Sequence, residues 1–250
     1  MPYLNLSTHR IYYNEKGDGA PLVLLHNGFY STTTWDPVRD LFAKTFRVID
    51  YDRRGYGRSD HLDDVPEGAD IVEEGVAELT ELVEKLNLKR INLIGHCLGG
   101  AVALLYTARH PDNVRKIVAE SVGYFGSLKS LISTDMTFVP YVKMDPVLKQ
   151  RLEQMHGVPY AMHLWSLLSN HKKSYIMNKD YDIRKEISRI KIPLLIANGD
   201  RDFYFEPAHP VSIFKKMRKT AGLWIAPHTG HDMHMESPGM FVETVRGFFK

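Results

Sequence analysis

A single cysteine, Cys97, occurs in 250 residues, so no internal disulfide can form and a reducing cytosol is the expected location. No run of 18 apolar residues is present, which leaves no candidate for a membrane-spanning helix. The opening residues, Met1-Pro2-Tyr3-Leu4-Asn5, lack a basic stretch followed by an apolar core, so no secretory signal is expected. An excess of one charge is missing as well. The 32 basic and 30 acidic residues leave a net charge of +2, which gives neither nucleic acid nor an anionic membrane a reason to bind. Repeats and low-complexity tracts are absent. What remains is 44% hydrophobic and 25% charged, the composition of a soluble globular protein. Its length suits one large domain, or one domain with an insertion. A small molecule is the expected partner, and monomer and homodimer are equally allowed.

Short apolar runs punctuate the chain at Ile11-Tyr12-Tyr13, Pro21 to His26, Phe46 to Tyr51, Ile91 to Ile94, Ile117 to Ala119, Pro193 to Ala197 and Leu223 to Ala226. Several are near-continuous Val/Ile/Leu, as strands buried on both faces of a parallel sheet must be. Helical spacing lies between them. Asp70 to Leu86 carries apolar residues at Ile71, Val72, Val76, Leu79, Leu82, Val83 and Leu86, and Ala101 to Arg109 and Phe241 to Phe249 are similar. Strand alternating with helix predicts an α/β fold with a mostly parallel central sheet flanked by helices.

Residues 125–182 break that rhythm. They are helical in pattern, lack a clear strand, and are rich in large flexible or aromatic side chains from Met136 to Met177. This stretch reads as a helical cap inserted into a core made of residues 1–124 and 183–250. The side chains expected to line a substrate pocket are Phe29, His96, Phe125, Met136, Phe138, Tyr141 and Trp165, because pockets are mainly apolar.

The most informative segment is Gly95-His96-Cys97-Leu98-Gly99-Gly100, between an apolar run and a helical one. It spells a strand, a very tight turn and a helix with a reactive side chain at the tip. Such a turn holds its central residue in strained backbone and needs small neighbours. The pattern is G-x-S-x-G with sulfur in place of oxygen. Three more motifs stand near predicted strand ends. They are His26-Asn27-Gly28-Phe29, then Asp52-Arg53-Arg54-Gly55-Tyr56-Gly57-Arg58-Ser59, and finally the pair Gly199-Asp200-Arg201-Asp202 and Gly230-His231-Asp232.

The order and spacing of these motifs resemble the α/β-hydrolase fold family over nearly the whole chain, closest to its capped esterase-type members. The resemblance implies roles. Cys97 is the nucleophile, His231 the base and Asp202 the acid, in the family order of nucleophile, acid, histidine. Asp202 is preferred to Asp200, which is expected to bond its own turn. The backbone N–H groups of Gly28 and Leu98 are the oxyanion donors, with Phe29 as the alternative to Gly28. Asn27 stands where the family usually has Gly, and Asn tolerates left-handed backbone. The Asp52 to Ser59 turn is architectural. His228, His231 and His234 are spaced by three, but Pro227 and Gly230 make the segment a loop without carboxylate ligands at hand, so no metal and no cofactor is expected.

These residues allow attack of Cys97 on an acyl carbon, an oxyanion held by Gly28 and Leu98, and a thioester acyl-enzyme released by water. Sulfur attacks activated acyl groups well and leaves readily, so an ester, lactone or thioester of a small, largely apolar acid is favoured over a peptide. Dienelactone hydrolases, on the same fold, resemble the chain in using a Cys-His-Asp triad, though their surrounding motifs do not match. Four alternatives stay open: an acyltransferase using the same acyl-enzyme, a ligand-binding or signalling member of the fold, a lyase or cofactor-free oxygenase, and a serine esterase carrying a Ser-to-Cys replacement.

Overall fold

The computed structural model describes residues 3–65, 69–170 and 180–250. The buried Val/Ile/Leu runs are the strands. In chain order the sheet and its first helices are β1 (Tyr3–Asn5), β2 (Arg10–Lys16), β3 (Ala20–Leu25), α1 (Asp36–Ala43), β4 (Phe46–Tyr51), α2 (Ile71–Lys85), β5 (Ile91–His96), α3 (Leu98–Arg109) and β6 (Val114–Glu120). A helical stretch follows: α4 (Leu128–Thr137), α5 (Pro146–His156) and α6 (Val158–Asn170). The chain then returns through α7 (Arg184–Ile187), β7 (Leu194–Gly199), α8 (Ala208–Met217), β8 (Ala221–Ala226), α9 (Met233–Glu236) and α10 (Pro238–Phe249).

The strands form one sheet in the order β1-β2-β4-β3-β5-β6-β7-β8. The β1–β2 and β2–β4 pairs are antiparallel and the rest are parallel. In this mostly parallel sheet β5, the middle of the parallel run, has every residue buried. Its full burial explains why the sequence shows no alternation there.

Helix α2 illustrates how local sequence becomes packing. The Asp70 carboxylate caps it, accepting from the N–H groups of Val72 and Glu73. Val72, Val76, Leu79, Leu82 and Val83 lie on the buried face, in one core cluster with Val102 and Leu105 of α3. A second cluster on the other face of the sheet joins Val38 and Phe42 of α1 to Phe241, Val245 and Phe249 of α10. Each fully buried aliphatic side chain contributes roughly 1.5–3 kcal/mol. β1 and helices α1 and α8, at 3, 8 and 10 residues, are short elements that the apolar pattern read from sequence did not mark.

After β6 the chain leaves the sheet and comes back through an antiparallel bridge between Phe125 and Asp182. Between them α5 and α6 build a third apolar cluster with Tyr30 and Tyr56 of the core loops, which includes Phe138, Leu152, Leu164, Trp165 and Leu168. Residues 171–179 of this stretch, with Tyr175 and Met177, lie outside the described residues. Among the described residues no helix is long and apolar enough to cross a membrane.

Candidate active site

Cys97 stands at the tip of a strand-to-helix turn with φ 51° and ψ −112°. This is backbone that a non-glycine residue adopts only when its surroundings enforce it. Enforcement comes from three directions. The Cys97 N–H donates to the Glu120 carbonyl at 2.9 Å, and the Cys97 carbonyl accepts from Gly100 and Ala101 at 3.1 Å each. A Cβ on Gly99 would overlap the carbonyl oxygens of Leu25 and His26, and one on Gly95 would overlap the backbone of Gly99 and Gly100. Gly99→Ala is therefore expected to destabilise the protein by about 1–3 kcal/mol and to push β3 and the His26 loop away from Cys97. Urea unfolding run beside a turnover assay would detect both effects; a neutral result would remove the packing argument.

The His231 imidazole is hydrogen-bonded to the Asp202 carboxylate, and the Cys97 side chain acts on it electrostatically. Its Nδ1 lies 3.0 Å from Oδ2 and 3.1 Å from Oδ1 of Asp202. Burial alone would push the imidazole down, but the Asp202 carboxylate and the Cys97 sulfur outweigh it and hold His231 well above its ordinary value. Burial likewise works against Asp202, yet His231 and the N–H groups of Tyr204 and Phe205 keep its carboxyl below the usual range. The two loops meet because Gly199 has no side chain: a Cβ there would overlap the carbonyls of Thr229 and Gly230. Asp200 is exposed and accepts from the Thr229 N–H at 3.3 Å, so it bonds the neighbouring loop rather than its own turn.

The loop after β3 differs from expectation. Asn27 is not left-handed, since the non-glycine residues with positive φ among those described are Asn87, Arg90, Cys97, Ser121 and His228. Its side chain instead accepts from the N–H groups of Phe29 and Tyr30, each at 2.9 Å. That occupies the Phe29 donor and removes the alternative to Gly28. The N–H groups of Gly28 and Leu98 have no acceptor among the described residues, and Leu98 opens α3, where first-turn donors have no helical partner. The Asn27 carbonyl is clamped by Arg53 Nη2 at 2.6 Å and by His26 Nδ1 at 2.8 Å. Arg53 was not singled out by sequence, and its neighbour Asp52 anchors the same loop by accepting from Thr32 N–H at 2.6 Å.

His156 of α5 ties the helical stretch to these turns. Its Nδ1 accepts from the Gly57 N–H at 2.9 Å and its Nε2 donates to the Phe29 carbonyl at 2.8 Å. Burial lowers its pKa, as it does for His26, His96 and His209, the last two to about 4. The sign follows directly. Below pH 6.5 the unfolded chain takes up protons that these folded imidazoles refuse, so the stability they confer is full above pH 6.5 and falls toward pH 4. Urea midpoints measured across that range should drop, and His156→Gln, which keeps one donor and one acceptor, should flatten part of the slope. A midpoint independent of pH would contradict this.

Several pocket expectations change. Phe29, Phe138 and Trp165 do meet, with ring centroids 5.1–5.6 Å apart. Phe29 and Trp165 line a small cavity of about 10 Å³ with Leu152, His156, Ala161, Leu164 and Leu168. Tyr141 packs at the margin of this cluster and donates to Glu153. His96 is no pocket wall: it is fully buried and its Nε2 bonds the His231 carbonyl at 3.0 Å. Met136 is 62% exposed on α4, at the surface. Phe125 is taken up at the bridge, stacked on His209 with Arg184 over its ring.

Two networks escaped the sequence. His234 bonds Glu120 at 2.8 Å through Nδ1 and Thr34 at 2.9 Å through Nε2, all three buried, which fixes the loop carrying His231 against the strand that holds Cys97. Arg151 of α5 donates to the Tyr30 hydroxyl, which donates to Asp232, next to His231. His228 pairs with Arg201, so the three histidines face different partners.

A family profile described as alpha/beta hydrolase fold matches residues 21–169. Among curated proteins, the human "Serine hydrolase BPHL" is 27% identical over 96% of this chain and 83% of its own length. The "Proline iminopeptidase" of Lactobacillus helveticus (strain DPC 4571) is 35% identical over 81% of each chain. Among solved structures, "Est816 as an N-Acyl homoserine lactone degrading enzyme" superposes with a TM-score of 0.80 at 23% identity, covering 99% of this chain and 100% of that one. The enol-lactonase from Burkholderia xenovorans LB400 gives a TM-score of 0.75 at 22% identity over 99% of both chains. At these identities the structural likeness speaks to the fold.

Proposed function

This chain belongs to the alpha/beta hydrolase fold family, and we propose that it hydrolyses an ester, lactone or thioester through a Cys97-His231-Asp202 triad and a thioester acyl-enzyme. The observation that carries the reading is the Asp202–His231 hydrogen bond together with Cys97 at the tip of a strained turn, whose sulfur acts on the same imidazole. A residue kept for packing alone has no need of that backbone, nor of a base beside it.

His231 takes the Cys97 proton, and Asp202 fixes the tautomer and balances the imidazolium charge. The carbonyl oxygen of the substrate becomes an oxyanion facing the Gly28 and Leu98 N–H groups, where one such donor is worth roughly 10²–10³ in rate. His231 returns its proton to the leaving group. Water, deprotonated by His231, then attacks the thioester and releases acid and thiolate. The helical stretch between Phe125 and Asp182 serves as a cap whose Phe138 and Trp165 meet Phe29 and shape the apolar side of the site. The hydrolase and peptidase names of the relatives favour hydrolysis over transfer. Sulfur tilts the choice away from amides, because a thiolate leaves a tetrahedral intermediate more readily than an unprotonated amine does.

Intact-protein mass spectrometry after mixing with short activated esters and thioesters tests this. A transient acyl adduct on Cys97 with product released is the expected result. No adduct, with Cys97 still open to a thiol reagent, would overturn it.

A further inference from the structure

The near-zero net charge conceals an uneven distribution. Strands β5, β6, β7 and β8 are neighbours in the sheet, and their entries lie side by side: Ile91 pairs with Val114, Ile117 with Leu194, and Leu194 with Ala221. The segments entering these strands are residues 87–91, 112–116, 188–194 and 218–221. They carry Lys89, Arg90, Arg115, Lys116, Arg189, Lys191, Arg218 and Lys219 against one carboxylate, Asp112. Neighbouring strands lie about 4.8 Å apart, so these cations share an edge roughly 15 Å long. All are exposed except the half-buried Lys116, whose Nζ donates to the Phe248 carbonyl. None of the eight makes an ion pair among the described residues. Glu186, two residues ahead of the third segment, is held by Arg109 at 2.7 Å.

Cations gathered on one edge repel one another, and the fold gains nothing from placing them together. A partner of opposite charge turns that repulsion into attraction. The edge offers little besides charge. Its four segments contain no aromatic residue, and the large apolar side chains that stand exposed lie on β1, in the helical stretch and at Phe203. Single-stranded nucleic acid is held by stacking aromatics, a duplex groove admits a helix or a ribbon, and a protein partner meets an apolar centre. Strand entries bearing only cations match the phosphate-rich face of a bilayer instead. We propose that these eight side chains seat the protein on a membrane surface rich in anionic phospholipid. From Arg90 to Cys97 the chain climbs at about 3.3 Å per residue, which sets the elbow roughly 20 Å above the seated edge. Asp202 and His231 follow the same ends of β7 and β8. A protein seated this way keeps its site open to solution, and the seating is independent of the reaction at Cys97.

Co-sedimentation with vesicles of equal parts phosphatidylcholine and phosphatidylglycerol tests this. At low salt the protein should pellet with these vesicles and stay in solution with phosphatidylcholine alone. Salt at about 1 M, which screens charges beyond roughly 3 Å, should release it. Arg115→Gln, Lys191→Gln and Lys219→Gln together remove one cation from each of three entries and should weaken vesicle binding by about a hundredfold. Arg115→Lys with Lys191→Arg and Lys219→Arg keeps the charges and should keep the binding. Lys129→Gln, Lys143→Gln and Lys149→Gln together lower the net charge equally, but in the helical stretch, and should change binding by no more than a few-fold. All three variants should melt within a few degrees of the parent, since the substituted side chains are at the surface. Each of four results would overturn the proposal: no binding at low salt, equal binding to neutral lipid, a glutamine variant of the edge that binds as the parent does, or a charge-keeping variant that does not bind. A helical-stretch variant that loses as much as the edge variant would reduce the effect to net charge and sink it too. Displacement of the vesicles by duplex DNA or an RNA hairpin at equal phosphate would assign the edge to nucleic acid instead.

Discussion

Cys97→Ala is expected to abolish turnover, by roughly 10⁴-fold or more, while changing the stability by only about 1 kcal/mol. The two effects separate because the elbow is held by backbone. The N–H of residue 97 still reaches the Glu120 carbonyl, its carbonyl still receives Gly100 and Ala101, and the glycine contacts with β3 are untouched. Only the sulfur is lost, and with it the atom that would carry the acyl group. Ester hydrolysis and urea unfolding measured on one preparation decide the matter. Unchanged turnover would make Cys97 a bystander; lost turnover with a collapsed fold would leave the assignment without support. Cys97→Ser is the informative companion. It keeps a nucleophile on the same strained backbone, and any adduct then becomes an oxygen ester, which amines and thiols capture less readily than a thioester.

Asp202→Asn is the second large effect, expected to lower the rate by about 10⁴-fold. The carboxylate accepts from three donors: His231 Nδ1–H and the N–H groups of Tyr204 and Phe205. An asparagine has one acceptor oxygen and one amide nitrogen. If the oxygen keeps the two backbone donors, the amide nitrogen faces His231 Nδ1 and forces it to accept. The ring proton then sits on Nε2, pointing where the Cys97 proton should be received. The loss of charge also removes the largest influence that raises His231, so its pKa should fall in this variant. A titration of the imidazole by NMR would follow that directly. Asp200→Asn should alter the rate by no more than a few-fold, since Asp200 reaches the Thr229 N–H and not the imidazole. If Asp200→Asn were the damaging change, the acid would have been misassigned.

What was legible in the sequence was local in origin. The elbow could be read because its glycines are required by contacts within and just beside the turn, and because sulfur at its tip is conspicuous in a chain with one cysteine. The central parallel strands could be read because burial on both faces leaves unbroken apolar runs. The loop after β3 was half legible. Its position was right and Gly28 emerged as the free donor, but Asn27 turned out to act through its side chain, not its backbone. Propensity describes what φ values a residue tolerates and says nothing of which neighbouring N–H its amide oxygen will meet.

The pocket assignments suffered most, for the same reason. Periodicity marked Met136, Phe138 and Trp165 alike as large and apolar, but the first ended at the surface and the others against Phe29. His96 is adjacent to Cys97 in sequence, but its ring turns to the His231 carbonyl. The contacts that hold these loops were invisible: Thr34 and His234 meet across 200 positions, Phe29 and His156 across 127.

The amino-acid sequence by itself therefore determined the chemistry on offer: a sulfur on a strained turn, an acid and a histidine each in a loop after a buried strand, and the alternation that makes an α/β sheet. These follow from steric demands and burial acting over a few residues. Only the tertiary structure decided which carboxylate faces the imidazole, which N–H groups stay unpaired among the described residues, and which aromatic rings meet Phe29. Those are distances between side chains far apart in the chain, set by how layers pack, and no local pattern of residues encodes them.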